Sequence, residues 1–278
     1  ALRSFFRRCL CLLAWVAGLG VSTLQGQTVG FRHFDHRDGL PQSQVTALLE
    51  DRSGFIWVGT MDALARLGPS GFKSYGALQG LKARQVLALL EDSRGSIWVA
   101  SPDQGVAEIR GNQVRSYGPE EGLKVQEIFS LAETPAGELL AGTRLGLFRK
   151  KGSGPFEQVP LQGAWAFSPI FTLAKDGEGH IWMASRRGMV GQLEGTTVKA
   201  VPLPPHLSQE PVMTLQTDPR GRLWAVLRTA LLRLEGGQWV VEPLPGLQGP
   251  LRLGQISFAP SGEMILPLGP DGLYLKPV

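Results

Sequence analysis

One pattern recurs six times along this chain at a nearly fixed interval, and that periodicity constrains the fold more than any other feature. Its core is a turn residue, a glycine three positions later, and a large apolar anchor three positions after that. The copies are Asp51, Gly54 and Trp57; Asp92, Gly95 and Trp98; Thr134, Gly137 and Leu140; Asp176, Gly179 and Trp182; Asp218, Gly221 and Trp224; and Ala259, Gly262 and Ile265. Successive anchors stand 41 or 42 residues apart. A repeat of this length suits one four-stranded propeller blade.

Each copy reads as four strands. An apolar or alternating run comes first, as at Val45 to Leu49, Val86 to Leu90 and Val212 to Gln216. Then comes the Asp-x-x-Gly turn, in which the aspartate can bond its own downstream backbone and the glycine accepts positive φ. The second strand carries the tryptophan, as in Phe55 to Gly59. The third and fourth follow, as at Leu64 to Leu67 and Phe72 to Tyr75, or Leu231 to Leu234 and Trp239 to Glu242. One such sheet cannot bury both faces, but blades set radially pack face to face, with the anchor as mortar between them. The expectation is an all-β propeller of four-stranded antiparallel blades over residues 28–278. It has six blades if closed, or is part of a seven-bladed ring. The last copy stops after its third strand at Leu273 to Leu275, and Phe31 to Phe34 reads as an orphan fourth strand that could complete it.

These residues resemble a known family. Gly39-Leu40-Pro41, the turn from Asp51 to Gly54, and Ile56-Trp57-Val58-Gly59-Thr60 look like the two-component regulator propeller repeat. The likeness runs through residues 31–278 and is sharpest in the first two copies. Copies three and six lack the tryptophan, and copies two and four carry Ala-Ser where one and three carry Gly-Thr. The resemblance implies a periplasmic sensor propeller of a bacterial receptor, ahead of a membrane span and a histidine kinase, hybrid kinase or diguanylate cyclase output. The chain is then the front end of such a receptor or a free-standing propeller.

Residues 1–27 read differently. Arg3, Arg7 and Arg8 precede an apolar run from Cys9 to about Leu24, followed by Gln25-Gly26-Gln27. That is the layout of a secretory signal peptide, and the run is short for a spanning helix. Export to the periplasm or the medium is the expectation. The chain holds 28 basic and 24 acidic residues, and three arginines but no acid fall within the signal. What remains is close to neutral, so a phosphate-binding surface for nucleic acid has no support. Both cysteines, Cys9 and Cys11, also lie in the signal, which leaves no disulfide or thiolate in the remainder.

Tests for chemistry point away from an enzyme. No Gly-x-Ser-x-Gly elbow or Gly-Lys-Ser/Thr phosphate loop exists. His33 and His36 would point to opposite faces of a strand, so no metal is expected, nor any cofactor. Asp51, Asp92, Asp176 and Asp218 occupy one turn each, a blade apart, which is turn chemistry rather than a calcium or acid-base array. Tyr75, Tyr117 and Tyr274 sit at regular strand positions. A propeller active site takes one residue per blade and leaves no local motif, so a lyase or hydrolase stays open as a third reading.

The copies differ most in their loops. The loops between second and third strands hold Arg144, Arg186, Arg187 and Arg228 in copies three to five, and acids such as Asp62, Asp103 and Asp271 in copies one, two and six. The four arginines could grip a carboxylated or sulfated saccharide by forked hydrogen bonds, with Trp165 of a neighbouring loop stacking on a sugar ring. Solvated loop charges are the plainer reading. The leading expectation is a non-catalytic extracytoplasmic sensor or interaction propeller. Its partners would be an anionic saccharide or a protein, a membrane-linked signalling domain, or a second copy of the chain. A free-standing secreted binding protein is the alternative.

Overall fold

The computed structural model describes residues 34–244, 256–259, 262–267 and 273–276. The signal sequence, Phe31 to His33 and Asp271 lie outside them. Strands follow the repeat closely. Blade one is β1 (Val45–Glu50), β2 (Ile56–Thr60), β3 (Leu64–Gly68) and β4 (Gly71–Tyr75). Blade two is β5 (Ala88–Glu91), β6 (Ile97–Ser101), β7 (Gly105–Arg110) and β8 (Gln113–Tyr117). Blade three is β9 (Ile128–Glu133), β10 (Leu139–Thr143), β11 (Gly146–Lys150) and β12 (Phe156–Gln158). Blade four is β13 (Thr172–Lys175), β14 (Ile181–Ala184), β15 (Val190–Glu194) and β16 (Thr197–Ala200). Blade five is β17 (Val212–Thr217), β18 (Leu223–Leu227), β19 (Leu231–Glu235) and β20 (Gln238–Val241). Blade six has three described strands, β21 (Ser257–Phe258), β22 (Met264–Pro267) and β23 (Leu273–Lys276).

Within every blade the strands pair antiparallel with their sequence neighbours, as hairpins demand. The turn glycines Gly54, Gly95, Gly137, Gly179, Gly221 and Gly262 all have φ between 75° and 94°. A side chain there would be strained, which is why the glycine never varies among the copies.

Five apolar clusters join each blade to the next. Between blades one and two, Trp57, Leu64 and Tyr75 meet Ile97, Val99 and Ile109. Between blades four and five, Trp182 and Val190 meet Leu215, Leu223 and Leu232. Between blades five and six, Trp224 and Val226 meet Ile256, Met264 and Leu266. The anchors are therefore mortar between sheets, and burying a tryptophan there is worth on the order of 3–5 kcal/mol.

Polar stitches run alongside. Glu91 accepts the Arg52 N–H at 2.9 Å, and Glu133 accepts the Ser93 N–H at 2.8 Å and its hydroxyl at 2.7 Å. Each ties the first strand of one blade to the hairpin turn of the blade before. Among the described residues no helix is long and apolar enough to cross a membrane.

Candidate functional site

The six first strands surround a central cavity of about 450 Å³. Leu48, Leu89, Phe129, Phe171, Met213 and Ser257 contribute to its wall, one from each blade. Two apolar side chains of this wall stand open to solvent, Leu48 at 66% exposed and Met213 at 40%. Cavities of this size can hold a small ligand.

One cation lines the cavity among the described residues. Arg186, from the loop after β14, places its guanidinium 4.3 Å from the centre of the Phe171 ring. Phe171 in turn stacks on Phe129, with centroids 4.5 Å apart and planes at 21°. Guanidinium, phenyl and phenyl thus form a three-tier stack across blades three and four. Stacking uses the face of the guanidinium and leaves its in-plane N–H donors for a ligand. No carboxylate or imidazole stands among the described wall residues.

The other sequence candidates do not join Arg186 there. Arg144 is turned to Glu127, its Nη1 3.4 Å from the carboxylate. Arg187 and Arg228 are exposed but absent from the cavity wall. Trp165 requires a correction, because the loop position suggested an accessible ring for a sugar. It is only 6% exposed and packs with Val159, Leu161 and Ile170 in the cluster between blades three and four. The short 3-10 turn at Gly163–Trp165 directs it inward, as Leu207 is directed inward from the matching turn before blade five. Stacking on a ligand is closed to it.

The repeated aspartates are fully engaged in structure. In blade two, Asp92 accepts the N–H groups of Arg94 and Ser96 through Oδ1 and the indole N–H of Trp98 through Oδ2, at 2.9, 2.8 and 2.9 Å. The same clasp recurs at Asp51 with Trp57, Asp176 with Trp182 and Asp218 with Trp224, at 2.7, 2.7 and 3.0 Å. Burial pushes the carboxyls of Asp92, Asp176 and Asp218 up, yet the indole and backbone donors carry all three below the ordinary aspartate value. The sequence shows this coupling in retrospect: the two copies without tryptophan, at Leu140 and Ile265, also lack the aspartate, at Thr134 and Ala259.

A second polar cluster lies between blades two and three and was invisible in sequence. The Tyr117 hydroxyl donates to Glu108 at 2.8 Å, and Ser96 donates to the other carboxylate oxygen at 2.9 Å. Lys150 lies 5.1 Å from the Tyr117 ring and donates to the carbonyls of Gly152 and Gly154. Burial first, then the Glu108 hydrogen bond and charge, push the Tyr117 hydroxyl up to about 12. Its members satisfy one another, which suits a structural network.

Comparison with known proteins agrees with this architecture. Residues 39–62 and 80–103 match the two component regulator propeller family. No curated protein matches the chain in sequence. Among solved structures, it superposes on the extracellular domain assigned to a hybrid two component system of B. thetaiotaomicron with a TM-score of 0.72 at 15% identity. That match covers 89% of this chain and 35% of the other, so the chain spans about a third of that protein's length. A catalytically inactive virginiamycin B lyase from Staphylococcus aureus, crystallised with quinupristin, aligns with a TM-score of 0.65 at 13% identity, covering 84% of each chain. The extracellular domain assigned to a one component system of B. thetaiotaomicron gives 0.59 at 18%, covering 84% of this chain and 38% of that one. At these identities the structural likeness speaks for the fold: this chain is a β-propeller, and its residues 39–62 and 80–103 carry the two component regulator propeller repeat.

Proposed function

We propose that the chain is a non-catalytic, extracytoplasmic ligand-sensing propeller of a bacterial signal-transduction system, exported by its first 27 residues. The observation that carries the reading is the central cavity with Arg186 as its single described cation, stacked and without an acidic partner among the described residues. The ligand is an anionic saccharide or a protein segment presenting a carboxylate or sulfate. Its charged group meets the in-plane donors of Arg186, and its apolar face meets Phe171, Met213 and Leu48. The repeat matches at residues 39–62 and 80–103 and the likeness to receptor extracellular domains support the signalling role, with a membrane-linked output domain or a second copy as the downstream partner.

The test is retention on an array of sulfated and uronic-acid glycans. Arg186→Ala removes retention, and unchanged retention rules out this site.

A lyase reading has the alignment with virginiamycin B lyase in its favour, since the match covers 84% of each chain. Against it, the described cavity wall offers no imidazole or carboxylate to move a proton. Incubation with quinupristin separates the two, and the binding reading predicts that the compound is recovered intact.

A further inference from the structure

In the first two blades an indole and a phenol share the space beside the next sheet. The rings of Trp57 and Tyr75 are centred 5.1 Å apart, and those of Trp98 and Tyr117 5.4 Å apart. Blade three has neither ring. Leu140 holds the tryptophan position. Val159 holds the tyrosine position: its N–H reaches the Leu147 carbonyl, as Tyr75 pairs with Leu64 and Tyr117 with Val106. Facing them from blade four are Ile181 and Leu193. A pocket of about 240 Å³ opens at this spot, lined by all four of these residues and by Arg149.

Arg149 is also out of place without a ring. It pairs in register with Leu140, as Arg66 pairs with Trp57 and Arg233 with Trp224. The Arg66 and Arg233 guanidinium groups lie 5.5 and 5.6 Å from those indoles. In blade three the indole is missing, and the Nε of Arg149 is buried with no hydrogen-bond partner. Glu138 approaches its Nη1 at 3.8 Å and is itself held by Lys151 at 3.1 Å, so the acid at the rim is already neutralised. Leaving a buried donor without an acceptor is unfavourable, and an acceptor brought by a ligand relieves it.

We propose that this pocket between blades three and four binds a single planar aromatic group bearing a carboxylate. The ring takes the volume that the Trp–Tyr pair fills in blades one and two, against Leu140, Val159, Ile181 and Leu193. The guanidinium of Arg149 lies beside the ring, and its Nε–H donates to the carboxylate in the ring plane. The site is separate from the central cavity and does not depend on the sensing role. Its size admits one ring and excludes an oligosaccharide.

Sodium benzoate is the probe, titrated into the purified chain while the methyl resonances of Leu140, Val159, Ile181 and Leu193 are followed by NMR. Saturable shifts at these methyls are expected, with cyclohexanecarboxylate at least about tenfold weaker because its puckered ring is thicker than the planar group the space admits. Thr134→Asp combined with Leu140→Trp rebuilds the missing clasp, fills the pocket and abolishes the shifts. Leu140→Phe, a smaller change, weakens them and serves if the double variant does not fold. Arg149→Met removes the preference for benzoate over toluene. Absence of saturable shifts, or benzoate binding undiminished by the Leu140 variants, overturns the proposal and marks the pocket as a bare packing defect.

Discussion

The indole N–H of Trp98 donates to Oδ2 of Asp92 at 2.9 Å, closing a hairpin in which the same carboxylate already holds two backbone N–H groups. The two residues are six apart in sequence and act as one unit. Asp92→Ala leaves the Trp98 N–H and the fully buried Ser96 without their acceptor, and costs about 3 kcal/mol. Trp98→Phe removes the indole N–H with a smaller cavity. A double-mutant cycle by urea denaturation is expected to show coupling of about 1–2 kcal/mol between them, and simple additivity contradicts the clasp.

The clasps also set the acid limit of the fold. Asp92, Asp176 and Asp218 titrate below the unfolded aspartate value of about 3.9, so their stabilisation is complete above that pH and is lost as pH falls through the lower folded values. Scanning calorimetry should find Tm level near neutrality and falling below about pH 4. Asp218→Asn lowers Tm at pH 7 and makes the acid fall shallower. An acid profile unchanged in that variant contradicts the assignment.

At the alkaline end the relevant group is Tyr117. Its folded value of about 12 lies above the ordinary tyrosine value of about 10, so the stability it lends is intact below the ordinary value and is lost as pH rises toward the folded one. Ultraviolet titration should find one of the tyrosines ionising late. Glu108→Gln removes the negative charge beside the hydroxyl and brings that step down. A late step that persists in the variant would trace to burial alone.

Blade three tolerates little at Gly142. A methyl group there would stand 2.4 Å from the Ser130 hydroxyl and 2.9 Å from the Ile170 carbonyl. Gly142→Ala is therefore expected to destabilise by about 2 kcal/mol in chemical denaturation, although blades two and four carry Ala100 and Ala184 at the same place. A neutral substitution would show that Ser130 and the Ile170 segment can yield without cost.

Much of this architecture can be read in the chain before any coordinates. The interval between anchors and the fixed glycine depend on local turn geometry, which six copies repeat, and the strands fall within a residue or two of their expected bounds. The Asp–Trp hydrogen bond was hidden because it links two ends of a hairpin, although Thr134 with Leu140 and Ala259 with Ile265 betray it by changing together. Site residues were less legible. Whether a loop side chain turns to the cavity, the solvent or the core depends on the backbone of each turn. Arg186 reaches the cavity, its neighbour Arg187 does not, and Trp165 turns into the core. The Phe129–Phe171 stack pairs residues 42 apart on different blades, which only the packing of blade four beside blade three brings together.

On the proposed reading the repeated residues build the blades and a ligand binds where the copies differ. Calorimetric titration of an anionic glycan that the chain retains, run on Arg186→Ala, Arg187→Ala and Asp218→Ala with Tm recorded for each, tests it directly. Arg186→Ala is expected to lose binding at unchanged Tm, Arg187→Ala to change neither, and Asp218→Ala to lower Tm while the folded protein binds normally. Binding lost in Asp218→Ala but kept in Arg186→Ala would contradict it.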